Sequence, residues 1–210
     1  TPGTKCRSRF SIPDLSVDDN ARHWHALETE KRRLVAQLVS LSLPVASKVG
    51  ADPARGLAFD FLRSPPWGPR VLTGHLDGII TIDIEEADDV QRERARLALH
   101  EPYRTLLGHL RHEVGHYYWD RLVAGTPWHE SFRQLFGDER ADYAAALRAN
   151  YEAGPPPDWG DRHISGYASS HPWEDWAETW AHYLHIVDSL DTALGFGLSA
   201  VDLDTDIEPF

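Results

Sequence analysis

Cysteine is almost absent from this sequence: Cys6 is the only one among 210 residues. A single thiol cannot form an internal disulfide, and alone it cannot hold a structural zinc ion. A chain without disulfides fits a reducing compartment. We therefore expect a cytoplasmic protein whose stability comes from a hydrophobic core.

Methionine is missing altogether, even at position 1, so we expect the chain to be a fragment or a processed product of a longer one. Long apolar runs are missing too. The longest, residues 34–46, is interrupted by three polar residues and a proline, and it is too short to span a bilayer. The first residues show no secretory leader pattern. The sequence therefore predicts no membrane partner.

Positive charge is scarce: 21 Lys and Arg stand against 33 Asp and Glu, which gives a formal net charge of −12. Such a chain repels phosphate backbones and anionic membranes, so we expect no nucleic-acid partner. The acids are spread along the chain rather than forming one tail, which favours a solubilising surface. A weak preference for cationic substrates is the alternative.

Proline, glycine and hydrophobic periodicity divide the chain into three parts. We predict an irregular arm over residues 1–16, one domain over 17–194 and an acidic tail over 195–210. Helical periodicity predicts helices over about 18–43, 85–100, 102–123, 128–136, 138–152 and 173–193. Alternating apolar residues predict strands over 57–62 and 79–84. The expected fold class is α+β, mostly helical with a small sheet.

The second predicted strand has one apolar face and one partly polar face, which we interpret as an edge strand. An edge strand can pair with an extended peptide through backbone hydrogen bonds. A purely structural strand is the alternative.

The stretch LLGHLRHEVGHYYWD, residues 106–120, contains His112-Glu113-Val114-Gly115-His116. Residues four apart lie on one face of a helix, so both imidazoles can bind one metal ion. Glu113 would then lie beside a metal-activated water, as in zinc hydrolases. The alternative is an ordinary helix with two packed histidines. The apolar flanks of this helix and a possible third ligand favour the metal.

A catalytic zinc ion usually takes a third protein ligand. Glu174 and Glu178 are four residues apart in a predicted helix and share a face. We assign Glu174 to the metal, because it is nearer the preceding loop, and Glu178 to a hydrogen bond with a ligand imidazole. Asp120, one turn after His116, is a further candidate for such support. The alternative is that both glutamates are surface acids.

Several neighbouring residues are interpreted as structural. His109 lies one turn before His112 and could point at the site, but we expect it to be a packed helix histidine. Trp173, Trp176 and Trp180 are expected to pack their helix rather than to line a subsite.

The motif spacing resembles the gluzincin-like peptidases of the anthrax lethal factor and Pro-Pro endopeptidase type. More closely, residues from about 12 to 190 resemble the bacterial family of zinc-binding metallopeptidases. The phrases LTGHLDGIITIDIEEADD, EPYRTLLGHLRHEVGHYYWDRL, LFGDERADYAAAL and HPWEDWAETWAHYLHIVD carry this resemblance. The resemblance to the gluzincin-like peptidases implies a zincin-like fold, zinc binding by Glu174, a supporting role for Glu178 and oxyanion stabilisation by Tyr167. Because members of the bacterial family usually carry a zinc-ribbon segment first, we interpret the arm with Cys6 as its remnant.

Together these observations predict a zinc-dependent metallopeptidase acting on a peptide or protein. His112, His116 and Glu174 are expected to bind Zn²⁺, with Glu113 as general base and Tyr167 at the oxyanion. His171 or His163 would take that last role if Tyr167 does not. Two alternatives remain: a metal-bearing protein-interaction module that does not cleave, and a zinc amidase or isopeptidase. The sequence leaves the oligomeric state open.

Overall fold

The computed structural model describes residues 11–17, 19–98 and 105–198. These residues form six α-helices, one three-stranded sheet and three short 3-10 helices. The helices are α1 (Asn20–Ser40), α2 (Asp89–Ala98), α3 (Leu106–Leu122), α4 (His129–Phe136), α5 (Tyr143–Ala153) and α6 (Pro172–Gly195); the strands are β1 (Ala58–Leu62), β2 (Gly74–Leu76) and β3 (Ile79–Asp83). The 3-10 helices are Ile84–Ala87, Trp159–Asp161 and Ala168–Ser170. The predicted α+β class, mostly helical with a small sheet, is confirmed.

The sheet has the strand order β1-β3-β2. β3 pairs in parallel with β1 and antiparallel with β2, so the prediction that residues 79–84 form an edge strand is wrong. β2 is the edge strand on this side. The two strands are joined by Asp77 and Gly78, which have φ of 47° and 76°. Two positive φ values are what a tight two-residue hairpin turn needs, and Asp-Gly is a preferred pair there.

The main hydrophobic core lies between the sheet, α1 and α3. Leu27, Leu34 and Leu38 of α1 are fully buried, as are Ile80 and Ile82 of β3. This burial explains the predicted periodicity of α1, because residues seven and eleven apart return to the same helix face.

Helices α3 and α6 pack tightly against each other at Gly115. A Cβ atom on this glycine would lie 3.0 Å from Ala177 Cα and 3.2 Å from Trp180 Cβ. Trp176 donates its indole N–H to the Gly115 carbonyl at 2.9 Å, and Trp180 stacks on Tyr118. The expectation that Trp176 and Trp180 pack their helix is confirmed.

The start of each of these two helices is capped. The Thr105 hydroxyl accepts the Gly108 N–H at 2.9 Å before α3, and His171 accepts the Trp173 N–H at 3.1 Å before α6. Such side-chain caps satisfy backbone donors that the first turn leaves free. The predicted start of α3 at residue 102 lies outside the described residues.

The described part of the arm, residues 11–16, contains neither helix nor strand. Ser11 attaches it to β1, because its backbone N–H and its hydroxyl both donate to Asp60. Cys6 and most of the predicted tail lie outside the described residues. Within the described residues, no helix combines the length and the apolar character that crossing a bilayer requires.

Candidate metal centre

His112, His116 and Glu174 converge in the structure. The two Nε2 atoms are 3.2 Å apart. Glu174 Oε2 lies 3.0 Å from His112 Nε2, and Glu174 Oε1 lies 3.6 Å from His116 Nε2. In a tetrahedral zinc site with bonds of about 2.0–2.1 Å, ligand atoms are about 3.3 Å apart. The three side chains therefore form a group that fits a zinc ion.

The polarity of this cluster also fits a cation. The Glu174 side chain is 1 % exposed, and its Oε2 has no aligned hydrogen-bond donor within the part of the chain that the structure describes. Burial opposes the ionisation of Glu174, but His112 and His116 outweigh it and hold the pKa of this carboxyl well below its usual range. A buried carboxylate between two imidazole nitrogens is a chemically suitable ligand set for Zn²⁺.

His112 is held from its other side by Glu178. Its Nδ1 lies 2.7 Å from Glu178 Oε1, and the Ser165 hydroxyl donates to Glu178 Oε2 at 2.7 Å. An Nδ1–H bond to a carboxylate leaves Nε2 free for a metal. Burial disfavours the charged form of His112, but Glu174 and Glu178 outweigh it and hold the pKa of His112 well above its usual value.

Glu113 lies beside the three candidate ligands, and its side chain is 7 % exposed. His109 Nε2 faces its Oε1 at 3.2 Å, whereas its buried Oε2 has no hydrogen-bond partner among the described residues. Burial opposes its ionisation, but the neighbouring histidines, His109 first, lower the pKa of Glu113 below its ordinary value. Glu113 is therefore a carboxylate with one tethered and one free oxygen.

A cavity of about 340 Å³ opens over this cluster. One wall is β2 with the residues on either side of it, and the other walls come from α3, α5, α6 and the loop before α6. The lining residues are Thr73, Gly74, His75, Leu76, Asp77, His112, Glu113, His116, Trp119, Asp120, Tyr143, Tyr167, Trp173 and Glu174. The candidate ligands and Glu113 thus line a cavity that lies beside a sheet edge.

A family model described as "Putative zinc-binding metallo-peptidase" matches residues 20–209. The chain belongs to this family. Three curated relatives, one from Mycobacterium bovis and two from Mycobacterium tuberculosis strains, are each 53% identical over 173 residues, and all three are described as uncharacterized proteins. The match covers 82% of this chain and 50% of each relative, so the chain spans about half their length. No solved structure matches this chain.

Tyr167, the candidate oxyanion donor of this metallopeptidase family member, lines the cavity. Its ring centroid is 6.0 Å from that of His112. Burial raises the pKa of Tyr167, and the Glu174 carboxylate raises it further, so the hydroxyl keeps its proton at neutral pH. Tyr167 therefore carries a proton that it can donate in a hydrogen bond.

The two histidines named as substitutes for Tyr167 have other contacts. His171 caps α6 through Nδ1, and its Nε2 donates to the Ala141 carbonyl at 3.2 Å. His163 Nδ1 lies 3.0 Å from Asp175 Oδ2. Neither is among the residues that line the cavity. The expectation that one of them would substitute for Tyr167 is not supported by this geometry.

Asp120 lines the cavity, but its side chain lies near His75 rather than in contact with the candidate ligands. Its Oδ2 lies 3.9 Å from His75 Nδ1, and no hydrogen bond to His116 is recorded among the described residues. The Asp120 side chain is 54 % exposed, and partial burial raises its pKa. Its predicted support of a ligand imidazole stays a prediction.

Sequence reasoning missed three cavity features. Tyr143 donates its hydroxyl to Glu174 Oε1 at 2.6 Å. His75 lines the cavity, and its Nε2 accepts the Gly78 N–H at 2.9 Å, which fixes the ring proton on Nδ1. Trp173 packs on Trp119 as expected, but it also lines the cavity, so the expectation that it would not line a subsite is wrong. Tyr143 and His75 stand inside the phrases LFGDERADYAAAL and LTGHLDGIITIDIEEADD, where an aromatic or imidazole group could have been noted.

Proposed function

We propose that this protein is a zinc-dependent peptidase of the zincin type that hydrolyses peptide bonds in a peptide or protein substrate. One observation carries the proposal. Glu113, a buried carboxylate with one oxygen free of hydrogen bonds to the described residues, lies beside three convergent zinc-type ligands in an open cavity. A site that only stores a metal or docks a partner does not need a general base there.

The candidate ligands His112, His116 and Glu174 would hold the ion, and Zn²⁺ bound there would supply Lewis-acid activation of water and of the substrate carbonyl. Glu178 and Ser165 keep His112 in the tautomer that leaves Nε2 available. Tyr143 orients Glu174 through its hydrogen bond to Oε1. These contacts fix the ligand side chains before any substrate arrives.

Glu113 acts as the general base and then as the general acid. Its free Oε2 accepts the proton of the attacking water and later returns this proton to the leaving nitrogen. The Tyr167 hydroxyl donates a hydrogen bond to the carbonyl oxygen as negative charge develops on it. Glu113 therefore transfers the proton, and Tyr167 stabilises the negative charge on the carbonyl oxygen.

The sheet edge supports an extended peptide as substrate. β2 pairs with β3 on one side, and the cavity lies against the segment of residues 73–77 that contains it. An extended peptide can add to such an edge through backbone hydrogen bonds. Leu76 is 80% exposed on this strand and offers apolar contact to a substrate side chain.

The test is the variant Glu113→Gln, measured for zinc content and for cleavage of a peptide library with and without a chelator. We expect zinc content equal to that of the wild type and a rate at least 10²-fold lower, the contribution of a general base. Glu130→Gln is a matched control, because Glu130 is exposed on α4.

Four outcomes would contradict the proposal. Full activity in Glu113→Gln would remove this residue from the base role. Cleavage that survives chelation would remove the metal. Tight capture of a protein without any turnover by the zinc-loaded wild type would favour the interaction module, and turnover only on isopeptides or non-peptide amides would favour the amidase.

A further inference from the structure

His109 lies between two carboxylates. Its Nδ1 is 2.5 Å from Glu86 Oε2, and its Nε2 is 3.2 Å from Glu113 Oε1. The Thr73 hydroxyl donates to Glu86 Oε1 at 2.5 Å. A chain of side-chain contacts therefore runs from the cavity wall at Thr73, through Glu86 after the sheet, to Glu113 on α3.

The donor and acceptor roles in this chain follow from chemistry. Carboxylates accept hydrogen bonds and imidazole nitrogens donate only when protonated. Since both ring nitrogens of His109 face carboxylate oxygens, the ring donates in both directions. Its side chain is 19 % exposed and that of Glu86 is 20 % exposed, so water competes little for these bonds.

The contact selects one oxygen of Glu113. The terminal torsion of a glutamate is broad and roughly two-fold, so an untethered carboxylate can present either oxygen to the cavity. His109 engages Oε1, and Oε2 is left without a hydrogen-bond partner in the described part of the chain. The His109–Glu113 contact thus occupies Oε1 and leaves Oε2 as the oxygen available to accept a proton.

We propose that His109, held in place by Glu86, is a positioning residue that orients the Glu113 carboxylate for proton transfer. The inference rests on the proposed peptidase function and corrects the expectation that His109 is only a packed helix histidine. His109 acts through Glu113 and does not itself touch substrate. Loss of the contact between His109 and Glu113 leaves metal binding intact and slows the step in which Glu113 takes the proton.

A purely structural role has different consequences. Buried ion pairs often contribute little to net stability. A contact that only stabilises the fold would change the unfolding temperature and would leave kcat unchanged. A positioning contact changes kcat at nearly constant KM. It is also restored by a residue that places an N–H donor at the same point, which a packing residue would not achieve.

The variants His109→Leu, His109→Gln and Glu86→Gln test this on the zinc-loaded protein. We expect His109→Leu to lower kcat by about 10²-fold, the size of effect that misplacing a reacting group produces, with KM within about two-fold. His109→Gln places an amide N–H near the Nε2 position and is expected to recover at least about ten-fold of that loss. His25→Leu is the control, because His25 is exposed on α1.

Two readouts do not depend on turnover. The visible spectrum of the cobalt-substituted protein should be the same in the wild type and the His109 variants, which shows an intact metal site. In ¹⁵N-histidine-labelled protein, the His109 Nε2–H resonance should shift in Glu113→Gln and the Nδ1–H resonance in Glu86→Gln. Unshifted resonances in both variants would overturn the inference.

The outcomes separate this inference from the function on which it rests. If the wild type cleaves no peptide but both His109 resonances respond as expected, the peptidase function is contradicted and the contacts of His109 with Glu86 and Glu113 are supported. If the wild type cleaves peptides and His109→Leu keeps full kcat, His109 has no positioning role. If His109→Leu does not fold, a fall in kcat in Glu86→Gln supports the inference and an unchanged kcat overturns it.

Discussion

Removing the Glu178 carboxylate should weaken zinc binding by an amount that the structure allows us to work out. Glu178 Oε1 accepts from His112 Nδ1 at 2.7 Å, and the His112 side chain is 11 % exposed. A hydrogen bond to a charged group contributes about 1.5–3 kcal/mol. Since about 1.4 kcal/mol corresponds to a factor of ten, Glu178→Ala should raise the zinc Kd by about 10- to 100-fold, the range typical for such supporting residues.

Glu178→Gln should have a smaller effect. Its amide oxygen can still accept the His112 Nδ1–H, so only the charge is lost. We expect a Kd increase near the lower end of the range, about ten-fold. The order of the three proteins in zinc affinity should therefore be wild type, Glu178→Gln, Glu178→Ala.

The assay is competition for zinc against a chromophoric chelator, followed by thermal unfolding at fixed free zinc. Ligand stabilisation follows the logarithm of free zinc over Kd, so the zinc-dependent stabilisation of Glu178→Ala should fall by about 1.5–3 kcal/mol. In a domain of this size each kcal/mol corresponds to about 2–4 °C in Tm. The zinc-free proteins should differ less than the zinc-loaded ones.

The exposed Glu130→Ala change is the control. A wild-type zinc Kd in Glu178→Ala would refute the reasoning, because the recorded hydrogen bond would then have no influence on the ligand it orients. A loss of zinc equal to that of a Glu174→Ala variant would also refute it, because Glu178 would then behave as a direct ligand.

Three further predictions follow from the same site. Because the pKa of His112 is held well above its usual value, zinc must displace a proton from it; zinc affinity should rise about ten-fold per pH unit near neutrality, and calorimetry in buffers of different ionisation enthalpy should count the proton released. Tyr167→Phe should keep zinc affinity and lower kcat by about 10²- to 10³-fold; an unchanged kcat in peptide cleavage would remove Tyr167 from the oxyanion. Burial, with His116 nearby, lowers the pKa of His75 to about 4, so the unfolded chain binds the extra proton first as pH falls. His75 should therefore contribute a fall of up to roughly 3 kcal/mol in the unfolding free energy of the zinc-free protein between about pH 7 and pH 3, and denaturant titrations should show a smaller fall in His75→Asn.

The helices and the central motif could be predicted because their signals are local. His112 and His116 share a face by spacing alone, and the capped, proline-started α6 ends within two residues of its predicted end at 193. The placement of Glu174 and Glu178 used the same four-residue rule. Each of these inferences depends on residues within one helix or next to its end.

The edge position of β2 could not be inferred from the pattern of β3. Alternation along a strand reports which sheet face is buried, whereas an edge is defined by missing hydrogen bonds in the plane of the sheet. One does not imply the other. β2 has only three residues, too few for a periodic signal, but Asp77-Gly78 was a usable hairpin signal.

The contacts that complete the site also could not be predicted from sequence periodicity. Tyr143 is 31 residues from Glu174, and Glu86 is 23 residues from His109. Their meeting depends on how α5 and the segment after β3 pack around α3 and α6. Sequence spacing carries no information on such distances unless the fold is already known.

The close packing at Gly115 restricts which proteins can build this centre. The motif is usually written with two unspecified positions, yet here the second of them faces Ala177 and Trp180 so closely that a methyl group would lie only 3.0 Å from Ala177 Cα. A bulkier residue would displace α6, and with it Glu174, away from the two histidines. A sequence search that demands glycine before the final histidine, together with a small residue three positions after the glutamate that corresponds to Glu174, should therefore recover chains able to bring the same three side chains together.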